Sequence, residues 1–452
     1  MTAEQHARIR SHLYAGDGFE AVVLALCGHG TDGQRMSFSV YEVLPIPHDA
    51  CFERTAVSVR WAVESGIALF EKAAKRGLAV LKIHSHPTGH SQFSEWDDAS
   101  DSQLLGSLSK WTDIQSTNLS AFMLPDGKIS ARTVNSSGFG AVGHVMVVGD
   151  EIQRWSVAAA SLDEAYDVRT RQVFGDGTTS VLRALRVGVV GTSGTGGWVV
   201  EMLARLGVGH LVLVDPDRVE YKNLNRIANS TKRDAEEKRF KVDVLADAVG
   251  RIVSSTTVTT HKTHAATPCV IASLSQCDAL FGSVDSADGR DLVNRIGTYY
   301  TIPYIDVGVR IDANGHGSIS QACAAIHYLI PGGSSLLSRK VFTPQQVTTD
   351  SLHRRNPAAY AERLDRGYIH GVAVDRPAVV SLNAFAASAA VNELLARLHP
   401  FRTDGNDEFR YQVFSLSEGS WPRVPDGPRC ESLARFVGRG DCAPLLNDPT
   451  IS

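Results

Sequence analysis

No stretch of this 452-residue chain approaches the roughly 18 consecutive apolar residues that a membrane-spanning helix needs, and its opening, MTAEQHARIRSHLYAG, lacks the apolar core of a secretory leader. Neither membrane insertion nor secretion is expected. The cysteines (Cys27, Cys51, Cys269, Cys277, Cys323, Cys430, Cys442) are scattered, odd in number and form no C-x-x-C pair, which argues against a disulfide framework and makes a cytoplasmic location the expectation. Basic residues are not in excess either: 45 Lys and Arg against 49 Asp and Glu leave a net charge of −4, so a nucleic-acid partner is not expected. What remains is an ordinary globular composition, 43% hydrophobic and 21% charged, over a length that suits two large domains or about three smaller ones.

The pattern along the chain is α/β throughout. Strand-like runs FEAVVLALCG, MSFSVYEVLPIP and LAVLKIH, a mixed run through 56–77 and the strand-turn-strand STNLSAFMLPDGKISARTV, turning at Asp126-Gly127, make a first α/β domain over residues 1–150. A second domain over 151–452 opens with the strand LRVGVVG, a glycine cluster, the amphipathic WVVEMLARLGVG and the strand LVLVD. That order begins a Rossmann-like, mostly parallel sheet. Further strands are expected at SSTTVTTHKT, CDALFGSV and YIDVG. A polar crossover connection with a short helix is expected over about 332–371, then the alanine-rich helix VVSLNAFAASAAVNELLARL, then a strand and tail over about 405–452.

The sharpest chemical signal is His84-Ser85-His86-Pro87 and, after six intervening residues, Ser94-Glu95-Trp96-Asp97. Residues two apart on a strand face the same way, so His84 and His86 can reach one ion, with Asp97 as a third ligand. Two histidines and a carboxylate that leave a fourth position to water are the layout of a catalytic zinc site. Ser94-x-x-Asp97 is equally a helix-capping signature, and the two readings are compatible.

This H-x-H-P…S-x-x-D pattern resembles the JAMM (MPN/JAB) metalloprotease family, which hydrolyses isopeptide or peptide bonds after the C-terminal glycine of ubiquitin-like proteins. The resemblance covers about residues 10–140 and implies Zn2+ held by His84, His86 and Asp97. It also implies an early catalytic glutamate in a strand like E-x-x-G-x-x-x-G. Glu20, opening the run Glu20-Ala21-Val22-Val23-Leu24-Ala25-Leu26-Cys27-Gly28, fits that position, with Val23 where the family has an internal glycine; Glu42 is the fallback. The implied chemistry has Glu20 as the proton carrier between water and leaving amine and Ser94 as donor to the developing oxyanion.

In the second domain, Gly191-Thr192-Ser193-Gly194-Thr195-Gly196-Gly197 follows a strand and opens a helix, the context of a phosphate cradle, and Asp215 ends the next strand, placed for ribose hydroxyls. These features alone are equally those of a NAD-dependent dehydrogenase. The run Asp215-Pro216-Asp217-Arg218-Val219-Glu220-Tyr221-Lys222-Asn223-Leu224-Asn225-Arg226 then resembles the D-x-D-x-V-x-x-x-N-L-x-R signature of the ThiF/MoeB/ubiquitin-activating adenylyltransferase family, over about residues 165–430. The resemblance implies ATP and Mg2+, with Gly191, Gly194 and Gly196 in the cradle and Asp215 on the ribose. It further implies Asn223, Arg226 and Lys241 (or Lys238) on phosphates and Asp285 on magnesium. Arg171, in Val168-Arg169-Thr170-Arg171-Gln172, matches the family's R-Y-x-R-Q segment, whose last arginine reaches the partner subunit's phosphates, which implies a homodimer.

Three departures stand out. Ser193 takes the third position of the usual G-x-G-G-x-G cradle. Ser334 to Ser338, and Gly427 with Cys430, stand where many relatives have the two C-x-x-C pairs of a structural zinc, so no structural zinc is expected there. The crossover connection holds no thioester cysteine, so adenylation without an internal thioester is the expectation, with Cys430 or Cys442 on the tail as the alternative. Both resemblances point to the C-terminal Gly-Gly tail of a ubiquitin-like or sulfur-carrier protein, with zinc-dependent hydrolysis and ATP-dependent adenylation in one chain, of the kind found in bacterial modification (including antiphage) or sulfur-transfer systems. A conjugating enzyme or a sulfurtransferase is the further partner implied. The alternatives are a peptide-modifying adenylyltransferase with a processing protease, or a scaffold in which one site has decayed.

Overall fold

The computed structural model describes residues 1–451 apart from 112–116, 158, 164, 253–254 and 367–376; of 109–111 only the backbone is described. It forms two compact units: Met1–Ala159 with Tyr299–Thr301 and Phe436–Ser452, and Ala160–Thr298 with Ile302–Arg435. Among the described residues no helix is long and apolar enough to cross a membrane.

The first unit contains strands β1 (Val22–Thr31), β2 (Met36–Pro45), β3 (Cys51–Arg54), β4 (Val59–Trp61), β5 (Ala79–Ser85), β6 (Asn118–Met123), β7 (Ile129–Asn135), β8 (Gly138–Ala141), β9 (His144–Val148) and β10 (Ile152–Ser156), with helices α1 (Ala3–Leu13), α2 (Ile67–Arg76) and α3 (Glu95–Trp111). Its main sheet runs β2-β1-β5-β6-β7-β8, antiparallel except for the β5–β6 pair, which α3 connects.

Period-two alternation divides β1 between two cores. Val23, Ala25 and Cys27 pack with Ile9 and Leu13 of α1. Val22, Leu24 and Leu26 pack with Leu69 and Phe70 of α2 and Leu105 and Leu108 of α3. Each valine, leucine, isoleucine or phenylalanine so buried contributes roughly 1.5–3 kcal/mol, so helix-sheet-helix layering is what the apolar run Val22–Cys27 of β1 requires. On β5, Leu81 and Ile83 face α1, which turns Lys82 and His84 toward α3.

The segment Phe436–Ser452 belongs to this unit, although the sequence reading ran the second domain to 452. It lies against β1: the Gly28 N–H donates to the Gly438 carbonyl (3.0 Å) and the Asp441 N–H to the His29 carbonyl (2.8 Å). Gly28 is required there, since a Cβ on it would stand 2.3 Å from the Arg439 backbone.

The second unit follows as α4 (Val168–Ala184), β11 (Arg186–Val190), α5 (Gly194–Arg205), β12 (His210–Val214), α6 (Lys232–Glu236), α7 (Lys241–Ile252), β13 (Thr257–His261), α8 (Pro268–Leu274), β14 (Ala279–Gly282), α9 (Ala287–Tyr299), β15 (Tyr304–Ala313), β16 (Ile319–Leu329), α10 (Pro344–Arg355), α11 (Pro357–Asp365), α12 (Val380–Leu398), β17 (Tyr411–Ser415) and α13 (Glu431–Ala434). Its sheet order is β13-β12-β11-β14-β15-β16-β17, parallel through β15 and antiparallel at β16 and β17. The connection expected over 332–371 with one short helix holds two, α10 and α11, and its last residues, 367–371, lie outside the described residues. Each helix is announced by a proline in its first turn and a side-chain cap, from Thr343 and from Asn356.

Candidate functional site

Two constellations form, one per unit. In the first, β5 carries His84 and delivers His86 one residue past its end, both nearly fully buried. Their Nε2 atoms lie 2.9 Å apart, and Asp97, in the first turn of α3, brings Oδ1 to 3.0 Å from His84 Nε2 and Oδ2 to 3.9 Å from His86 Nε2. Among the described residues this is the group of three or more His, Cys, Asp or Glu that could hold a metal ion, its ligand atoms all within 4.8 Å of one another.

The donor set fits a divalent ion such as zinc. Two imidazoles and a carboxylate face one point, and the His86 Nδ1 lies 2.6 Å from the His90 carbonyl, a contact that fixes Nδ1 as the donor and leaves Nε2 its lone pair. Burial holds His86 below the usual histidine range, in the neutral form that ligates. Burial acts to raise Asp97, but the hydrogen bond and charge of His84 and the donors of Ser94 outweigh it and hold the carboxyl well below the usual carboxylate range.

Glu20 sits in the extended residues before β1, 8% exposed, with its backbone held by its N–H to the Thr55 carbonyl (2.7 Å) and by Arg54 Nε to its own carbonyl (2.9 Å). Burial, reinforced by the charge of Asp97 and opposed by Lys82, pushes its carboxyl up to about 7. Glu42, the alternative, is exposed on β2 and paired with Lys72. Ser94 is engaged with Asp97. Its N–H and its hydroxyl both donate to Asp97 Oδ2 (2.8 and 2.7 Å), and the Asp97 N–H returns to Ser94 Oγ (3.2 Å). A hydroxyl has one proton, and here it orients the carboxylate. Arg54 and His90, which hold Glu20 and His86, escape sequence reading because each acts through or upon a backbone carbonyl.

In the second unit the strand order reverses at β11: β12 lies on one side and β14 on the other, and all three are parallel. Their C-terminal ends share one edge, so the turns after them bring Gly191, Asp215 and Asp285 to the topological switch point of an open α/β sheet. The turn is bound closely. Gly191 has φ +84°, and a Cβ on Gly196 would stand 1.9 Å from the Gly191 carbonyl oxygen. Ser193, the departure from the usual cradle, is the N-cap of α5 and makes no side-chain cap bond, so the first N–H groups of α5 stay available to an anion.

Asp215, 5% exposed, accepts from the Thr192 N–H (2.7 Å), the Thr192 hydroxyl (3.2 Å) and the Asp217 N–H (2.9 Å). Burial pushes its carboxyl up against the attraction of Lys241. Lys241 is buried and pairs with Asp217 (2.7 Å), whereas Lys238 is exposed, so of the two lysines it is Lys241 that turns inward. Asn223 is buried and accepts from the Glu220 N–H (3.0 Å). The Cδ of Arg226 would be 3.3 Å from a Cβ on Gly194, which places this arginine beside the cradle, and Asn383 of α12 crowds the same glycine at 2.2 Å. Asp285 is exposed in the turn between β14 and α9. Arg171 pairs with Asp176 on its own helix (2.6 Å).

Where the resemblance places two cysteine pairs, an ion-pair cluster joins the same segments. Arg339, its side chain 1% exposed, pairs with Asp426 (2.8 Å) and donates to Ser334 Oγ (2.9 Å) and to the Tyr328 and Arg410 carbonyls (2.9 and 3.0 Å). Cys430 is buried with its thiol 3.2 Å from Ser432 Oγ, and the Cys442 thiol donates to the Arg76 carbonyl (2.9 Å).

Comparison with known proteins follows this division. Residues 166–432 match the family model described as ThiF family, and residues 2–156 that of prokaryotic homologs of the JAB domain. The chain is similar to ubiquitin-like modifier-activating enzyme 5 of Drosophila willistoni, 25% identical over 187 residues that cover 38% of this chain and 42% of that protein. It is similar to the protein of the same name from Arabidopsis thaliana, 29% identical over 170 residues, covering 33% and 36%. A stretch of 45 residues is 49% identical to tRNA threonylcarbamoyladenosine dehydratase of Haemophilus influenzae, covering 10% and 17%. The chain thus spans less than half the length of each of these curated relatives. Among solved structures, E. coli MccB with ATP has a TM-score of 0.43 at 16% identity, covering 57% of this chain and 68% of that one.

Proposed function

The chain belongs to the ThiF family and carries a JAB-homologous domain ahead of the ThiF region, and from this premise we infer that it joins an ATP-dependent adenylating enzyme to a zinc-dependent peptidase. Both act on the C-terminal glycine tail of a ubiquitin-like or sulfur-carrier protein. The observation that carries the reading is the convergence of His84, His86 and Asp97 within 4.8 Å, beside a buried Glu20, in the same chain as a glycine cradle at a sheet switch point. The names of the matched relatives, activating enzymes for ubiquitin-like modifiers, support that class of partner.

At the first site, a divalent ion held by His84, His86 and Asp97 supplies Lewis acidity toward water and the scissile carbonyl. Glu20, with its carboxyl raised to about 7, takes the water's proton near neutral pH and returns it to the leaving amine. Ser94 holds Asp97 in the ligating orientation.

At the second site, the N-terminus of α5 receives phosphate oxygens, and Arg226 and Lys241 neutralise charge as the carrier's carboxylate attacks the α-phosphorus of ATP and pyrophosphate leaves. Asp215 already accepts three hydrogen bonds of the about four a carboxylate can take, which leaves room for a ribose hydroxyl. Asp285 holds magnesium. Arg171, which gives up Asp176, reaches across a homodimer.

The test uses the full chain, with a carrier-protein fusion for cleavage and ATP–pyrophosphate exchange for activation. His84→Ala is expected to abolish cleavage and zinc binding while leaving exchange intact, and Asp215→Ala to do the reverse. Cleavage unaffected by His84→Ala, or exchange unaffected by Asp215→Ala, overturns the corresponding half. Exchange driven by short peptides but not by a Gly-Gly-ended protein would assign a peptide substrate instead.

A further inference from the structure

Lys82 is a lysine with 5% exposure in the middle of β5, a strand whose every residue is buried. A buried ammonium costs several kcal/mol unless it is paired and fully hydrogen-bonded. Here it is: Nζ lies 2.8 Å from Asp101 Oδ1 and 3.0 Å from Ser100 Oγ, both on α3. Asp101 is wholly buried, and its other oxygen accepts from Arg132 Nη2 of β7 (2.7 Å) and from the Ser120 hydroxyl of β6. Arg132 also pairs with Asp98, and its guanidinium lies 3.8 Å from the ring centroids of both Phe93 and Phe139. Two cations and two anions balance, and three strands are tied to one helix.

The placement of this cluster relative to the ligands is what matters. Lys82 and His84 are alternate residues of β5, and Asp97 and Asp101 are one turn apart on α3, which returns along the sheet in the opposite direction. The two elements therefore meet at two rungs, His84–Asp97 at 3.0 Å and Lys82–Asp101 at 2.8 Å. Two strand residues advance about 6.6–6.8 Å and four helical residues about 6 Å, so the rungs are nearly commensurate. Fixing one fixes the other. Apolar contacts between α3 and the sheet would tolerate a small slide or roll of the helix, but a carboxylate held by three directed donors does not. Among the described residues, Asp97 itself is oriented by Ser94, from its own turn, and by the histidines.

We propose that Lys82, Asp101 and Arg132 are positioning residues that hold Asp97 in ligating register with His84 and His86 before any ion arrives. The inference rests on the reading of these three ligands as a metal centre and adds to it the device that preorganises them.

The experiment titrates metal-free full-length protein with Co2+ and follows the visible ligand-field bands, with cleavage kinetics alongside. Lys82→Met/Asp101→Asn, which removes both charges of the rung together, is expected to weaken cobalt binding roughly 10- to 100-fold, to shift the bands and to lower kcat with KM unchanged. Lys82→Arg, which keeps a cation facing Asp101, restores both affinity and spectrum. If the double variant does not fold, Ser120→Ala removes one donor to Asp101 while leaving the charges paired and is expected to weaken cobalt several-fold. Unchanged affinity and bands in the double variant, or in Ser120→Ala when it must stand in, overturn the proposal while the metal-centre reading stands. Wild-type protein that binds no cobalt, or His84→Ala that binds it as tightly, overturns the metal-centre reading itself.

Discussion

The two sites are built on opposite principles. At the first, side chains do everything: imidazoles and a carboxylate from a strand end and a helix start face each other, and the residues behind them (Ser94, Lys82, Asp101) hold those side chains still. At the second, the backbone sets the stage. A left-handed Gly191, a turn too tight for a Cβ at Gly196, a helix start without a side-chain cap and the common edge of parallel strands define the place, and the charged residues are meanwhile occupied with one another, Lys241 with Asp217 and Asp215 with the turn itself. A site made of side chains is sensitive to single chemical changes, and one made of backbone to steric ones. The first brings its side chains to one point, whereas in the second the charged side chains are paired among themselves.

Breaking this contrast requires variants that act on one principle at a time. The largest effect is expected from Glu20→Gln, which keeps shape and removes the base: kcat for cleavage should fall about 10²- to 10⁴-fold with zinc content unchanged by elemental analysis. Next comes Arg226→Ala, for which ATP–pyrophosphate exchange should fall roughly 10²-fold while cleavage is untouched. The pH dependence of the metal-free protein is subtler. Glu20 has a folded-state value of about 7 against an ordinary 4.5, so the native state holds the proton more tightly and stability falls as pH rises from about 4.5 through 7. Chemical denaturation of wild type and Glu20→Gln across that window should differ by on the order of 2 kcal/mol, and identical profiles would remove the electrostatic contribution assigned to Glu20. The smallest effect is expected from Gly28→Ala, which pushes a methyl into the Arg439 backbone: a loss of about 1 kcal/mol or more in the first unit alone, read as earlier melting of that unit with nucleotide affinity unchanged.

The same contrast explains what could be read from the sequence. H-x-H-P with S-x-x-D and the glycine run at a strand-helix junction are local, and their local geometry is what the structure shows. Glu20 and Glu42 differ in burial and partners, which spacing does not encode: Glu20 is buried, whereas Glu42 is exposed and meets Lys72 across the surface. Ser94 matches two roles in sequence, and its contact with Asp97 Oδ2 is not encoded in the spacing. The two helices at 344–365 were underestimated because both are largely polar and exposed, with Thr349 and Tyr360 as their buried residues, so no apolar stripe announced them. Arg339 was invisible for a different reason. Its partners come from residues 328, 334, 410 and 426, and no window of sequence contains them together.

The return of Phe436–Ser452 to β1 means that the first unit is completed by residues from beyond the second along the chain. A stop codon anywhere from 160 to 435 would therefore remove the first unit's closing segment. A single scission near residue 160 does not separate the two units.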